Sequence, residues 1–127
     1  MADVDIESEL VAHFKPVLDE LGAAGVGPEM RPDSPLPFIQ VTALPATQEL
    51  QSWDGRLSLD RLDADVDVYA AGKVTARDVG QAVRARLAVP LASRAATISR
   101  RPALTPRPDR NENVRRYGAA VSFLARS

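Results

Sequence analysis

The side chains able to do acid–base, nucleophilic or metal chemistry are few in kind: one histidine, no cysteine and seventeen carboxylates in 127 residues. Without cysteine there is no disulfide, no thiolate nucleophile and no cysteine-ligated metal. His13 stands four residues before Val17 and three after Leu10. That spacing puts it beside an apolar helical stripe, which favours a boundary or core histidine over a catalytic base. A lone histidine also lacks the companions of a zinc site. Asp63-x-Asp65-x-Asp67 opens like a calcium loop, but the sixth position is Val68 where glycine is needed and the twelfth is Val74 where glutamate is needed. An EF-hand is excluded. Gly22, Gly25 and Gly27 follow a helical pattern, whereas a dinucleotide fingerprint places its glycines between a strand and a helix. No catalytic set, metal or cofactor is expected, and the chain does not read as an enzyme.

Two charged features remain. On a strand, Asp63, Asp65 and Asp67 form a stripe with repeats near ~7 Å, too spread for one ion unaided. The stripe reads as a solvated sheet face, as cross-strand pairing with Arg116, Arg126 or Arg56 at ~0.2–1 kcal/mol per pair, or as a functional acidic surface. Arg94, Arg100, Arg101, Arg107, Arg110, Arg115 and Arg116 make the last third cationic, with only Tyr117 as a nearby aromatic. No base-stacking platform results, so an acidic protein surface suits these arginines at least as well as phosphate. Trp53, beside the turn pair Asp54-Gly55, is either an interface anchor or a cap folded over the core.

The elements that must position these residues follow from periodicity. Ile6, Leu10, Phe14, Val17 and Leu21 recur at three or four, with acids in the first turns and Gly22 as a stop. Pro16 conflicts with an unbroken helix and predicts a kink, or two shorter helices, near residues 12–15. A short strand is expected around residues 26–30, a second over Phe38–Leu44 with Ile39, Val41 and Ala43 on one face, then a long connection or loose hairpin to Gly55. Residues 56–70 alternate, with Leu62, Ala64, Val66 and Val68 opposite the aspartates. Leu57 and Leu59 have the other parity, which predicts a bulge near Asp60-Arg61. Thr75 is a candidate N-cap for a helix burying Val79, Val83 and Leu87. A short strand over 96–101, an exposed basic loop over 102–113, and a long strand over 114–126 with Tyr117, Ala119, Val121, Phe123 and Ala125 inward complete the chain. The order α-β-β-β-α-β-β predicts a single α+β domain: a mostly antiparallel or mixed β-sheet with two helices on one face.

Composition agrees with one domain: 45% hydrophobic, 26% charged and 5% aromatic residues. The start carries acids where a signal peptide needs bases, and no apolar run approaches the ~20 residues of a membrane span, so a soluble chain not exported by that route is expected. A net charge of −1 argues against a protein devoted to gripping nucleic acid. The charge is unevenly spread. Lys15 and Arg31 against nine acids leave residues 1–50 at −7, and the remainder is +6. This asymmetry suits head-to-tail contact between copies or docking of unlike surfaces, and equally arises by chance on a mixed surface.

Three strings, PFIQVTAL (Pro37–Leu44), DADVDVYAAGKVTARDVGQAVRARL (Asp63–Leu87) and NVRRYGAAVSFLAR (Asn113–Arg126), in this order, resemble the tail terminator proteins of long-tailed bacteriophages. The resemblance implies a small α+β virion protein without catalytic activity. It would assemble as a homo-oligomeric ring, commonly a hexamer, at the head-proximal end of the tail tube. There it would stop tube polymerisation and meet the head connector while DNA passes through unbound. The implied partners are further copies, the tail tube protein and the connector or stopper, and the implied location is the virion, after assembly in the host cytoplasm. On this reading Glu49, Trp53, Asp54, Arg100, Arg101, Arg107 and Arg110 are the candidate partner contacts. Asp63, Asp65 and Asp67 would face the channel or a neighbouring subunit. A head-completion or stopper protein is the alternative, and a small nucleic-acid-binding module a more distant one.

Overall fold

The structure is a computed structural model that describes residues 4–45, 47–51 and 58–126, with side chains over 4–45 and 59–126. The first helical stripe is broken as Pro16 requires: α1 spans Ile6–Phe14, a 3₁₀ turn covers Lys15–Val17, and α2 is Leu18–Leu21. The break falls slightly later than predicted, because the proline sits in the first positions of the 3₁₀ turn, where its missing N–H costs nothing. Asp5 caps α1 by accepting from the Ser8 amide at 3.2 Å, and Gly22 ends α2 in the left-handed region at φ 76°.

Strands β1 (Gly25–Gly27), β2 (Phe38–Ala43), β3 (Thr47–Gln51) and β4 (Ser58–Ala70) follow, then α3 (Lys73–Leu87), β5 (Thr97–Arg100), β6 (Thr105–Arg107) and β7 (Arg115–Arg126). All seven strands join one mixed sheet, with β1-β2-β4-β7-β5 side by side. Only β1 and β2 run parallel. The spine is the antiparallel β4–β7 pair, in unbroken register from Leu59 opposite Arg126 to Ala70 opposite Arg115. Because β7 covers one edge of β4 along its whole length, β2 and β3 share the other. By the same argument β5 and β6 share the outer edge of β7.

The α+β class and the two-helix layer agree with the sequence, and four local expectations are corrected. The bulge lies not at Asp60-Arg61 but on the partner strand, where the β3–β4 register shifts between Gln48 and Leu50. Strand β4 therefore keeps its phase, and Asp60 falls on the buried side. The loop expected over 102–113 contains β6, paired with β7 from Thr105 opposite Gly118 to Arg107 opposite Arg116. Helix α3 begins two residues before Thr75, with Gly72 as its cap and the Ala76 amide closing the first turn on the Gly72 carbonyl. Ala43, expected on the inward face of β2, is exposed at the strand's end.

The core lies between the sheet and the helices. Leu10 and Phe14 of α1, Val79, Val83 and Leu87 of α3, Ile39 and Val41 of β2, Val66 and Val68 of β4, and Val121 and Phe123 of β7 are buried in one cluster. Burying each large side chain contributes about 1.5–3 kcal/mol. His13 belongs to this layer. Its Nε2–H donates to the Arg86 carbonyl at 2.8 Å, while Arg86 Nε donates back to the His13 carbonyl at 3.1 Å, tying α1 to α3. Burial pushes the imidazole pKa down. Among the described residues no helix is long and apolar enough to cross a membrane.

Candidate functional site

With the helices on one face of the sheet, strand alternation sends Arg61, Asp63, Asp65 and Asp67 of β4 to the other. Gln40 and Thr42 of β2 flank them opposite Asp67 and Asp65, and on β7 the opposed residues are Ser122, Ala120 and Gly118. The three β7 residues are small for a reason visible at Gly118. A Cβ there would run into Asp67 Oδ1 and come within 2.9 Å of Arg107 Cδ. The glycine leaves the space that the carboxylate occupies.

Asp67 is 1% exposed and is held by two arginines. Arg116 grips it bidentately, Nε to Oδ1 at 3.1 Å and Nη2 to Oδ2 at 3.2 Å, and Arg107 adds Nη1 to Oδ1 at 3.1 Å. Arg107 also reaches Asp65 Oδ1 at 3.4 Å. The two arginines sit directly opposite each other in the β6–β7 register, an unfavourable juxtaposition of like charges that the carboxylate between them offsets. Arg116 lies over the Tyr69 ring, 5.6 Å from its centroid, and donates to the Pro108 carbonyl at 3.4 Å. Hydrogen bonding to Asp67 holds the Arg116 guanidinium pKa above its ordinary value, and burial raises that of the Tyr69 hydroxyl. Further along, Asp63 accepts from Ser122 Oγ at 2.7 Å and pairs with Arg61 at 3.2 Å.

Within the chain, each aspartate of the stripe has an arginine partner. Three aspartates are matched by Arg61, Arg107 and Arg116, and for Asp67 the cross-strand reading applies. Arg116, one of the predicted partners, is present, while Arg107 was hidden inside the expected loop. The sequence did hold one signal for this site: a glycine within a strand marks close approach of another group.

Beside the cluster the sheet face forms an open groove of about 710 Å³, floored by Gly118, Ala120 and Ser122 and bordered by Arg61, Asp63 and Arg100. Arg100 and Arg110 are exposed, whereas Arg107 is committed to the cluster. Arg101 turns toward α3, where its Nη1 donates to the Arg84 carbonyl at 3.1 Å and Arg84 Nε donates to the Arg101 carbonyl at 3.0 Å. The side chain of Glu49, together with Trp53 and Asp54, lies outside the described residues. Chemically, the cluster fixes β6 and presents a rigid polar face. Its carboxylates are occupied by guanidinium and hydroxyl donors.

The architecture is that of a small α+β protein whose mixed sheet carries helices on one face and a charge-matched polar surface on the other. The same fold occurs in a chain described as "Virion of native gene transfer agent (GTA) particle", with a TM-score of 0.59 and 23% sequence identity over 95% of this chain and 92% of that one. At that identity the likeness is one of fold. No family model matches the sequence, and no curated protein matches it.

Proposed function

We propose that this chain is a structural component of a phage-like virion and acts through assembly. The supporting observation is the sharing of its fold, nearly end to end, with a chain of a virion particle. Within that role we assign it to the tail terminator position: a ring of copies on the head-proximal end of the tail tube that stops polymerisation and joins the connector. The segments resembling terminator proteins contain β2, the larger part of β4 with α3, and β7, which build most of the sheet and one helix of its covering layer. The open polar face and the exposed Arg100 and Arg110 are suited to contacts with tube or connector proteins. Quantitative mass spectrometry of purified particles, with labelling to locate the chain, tests the assignment. Several copies at the head–tail junction are expected. A position among the head-completion proteins would favour the stopper alternative, and absence from particles would overturn both.

A further inference from the structure

We propose that opposite edges of the sheet carry matched docking surfaces. A basic cleft between α3 and the β5–β6 link on one copy receives the acidic residues that border β1 on the next. The setting rests on the ring reading above. The surfaces themselves are read from charge and placement.

The strand order puts β1 at one edge of the sheet and β5 with β6 at the other. Beside the β5–β6 edge, α3 exposes Lys73, Arg77 and Arg84, and Arg101 joins them from the link. Arg84 and Arg101 each spend a donor on the other's backbone carbonyl, which fixes both guanidinium groups without neutralising either. Between them and Arg77 lies a cleft of about 210 Å³ floored by Gly80 and Leu104. A Cβ on Gly80 would stand 3.4 Å from Leu104, so the glycine keeps the floor low. The acids bordering this surface are Asp78, exposed and 3.5 Å from Arg77, and Asp109 and Glu112, which line a pocket with Lys73.

The β1 edge has the opposite balance. Glu29 and Asp33 follow β1 in the link to β2, both exposed, while Asp19 and Glu20 precede it on α2, which packs against α3. The bases there are Lys15 and Arg31, and Arg31 faces Glu29 at 3.9 Å. Two unlike, complementary patches on opposite edges of one subunit are what a head-to-tail contact requires, and such a contact closes into a ring when its rotation permits. Phosphate is the competing occupant of the cleft. The matching acids on the same chain, and a net charge of −1, favour a second copy.

The test is charge reversal, read by sedimentation and light scattering of the full chain at low and high salt. The wild type is expected to self-associate, less so as salt rises. Arg77→Glu with Arg84→Glu, or Glu29→Lys with Asp33→Lys, should each weaken association by roughly tenfold or more while leaving the circular dichroism unchanged. Mixing the two variants one to one should restore it, because the reversed edges are complementary only in alternation. Several results overturn the edge pairing: a wild type that stays monomeric, association that survives both reversals, no restoration on mixing, or duplex DNA retained by the cleft without self-association. Particle composition is measured separately, so the virion assignment can stand when this pairing fails.

Discussion

Gly118 faces Asp67 directly across the β4–β7 ladder, and the missing side chain of the glycine is the space in which the carboxylate binds two arginines. A residue with no chemistry of its own thus decides whether the polar face can form.

This pairing predicts strong coupling. Gly118→Ala should cost about 1–3 kcal/mol through overpacking. Asp67→Ala should cost about 3 kcal/mol, because it leaves two arginines opposed without their shared anion. The double variant should lose clearly less than the sum, since the alanine at 67 removes the atoms that collide. Urea unfolding of the four proteins measures this, and strict additivity would refute the spatial claim.

Arg107 is the tether of β6, a three-residue strand containing a proline. Arg107→Ala should raise amide exchange at Leu104 and Thr105 by about tenfold, equivalent to ~1.4 kcal/mol of local opening, while amides in the β4–β7 spine stay protected. Unchanged exchange would mean that backbone pairing alone holds the strand.

His13 predicts a pH dependence with a definite sign. Burial lowers its folded-state pKa, so as pH falls the unfolded chain, near 6.5, takes up the proton first. Stability should be level above about pH 7 and decline below about 6.5, down through the lower folded value. His13→Gln retains a donor for the Arg86 carbonyl and should flatten thermal stability between about pH 7 and 5.5. A slope that persists in this variant would place its origin elsewhere.

Phe14 is fully buried at the helix break, whereas Val74 on α3 is 59% exposed. Phe14→Ala should destabilise by about 3–5 kcal/mol, and Val74→Ala by no more than about 0.5 kcal/mol in the isolated chain. Equal losses in chemical denaturation would contradict the placement of the core.

Much of the fold was legible because the signals are local. Period two in residues 62–68 and 117–125 gave the inward faces of β4 and β7, Pro16 gave the break between α1 and α2, and Gly22 gave the stop. Each reflects the free energy of a few neighbouring residues, which a linear chain displays openly. What tertiary structure alone decided is which strand lies beside which. Strand β6 carries no apolar alternation and is defined by its partner. The predicted bulge moved to β3, where register could absorb it, and Asp60 was buried as a consequence. Arg107 met Asp67 across forty residues of sequence. Such relations are set by long-range register, and no periodicity within either segment encodes them.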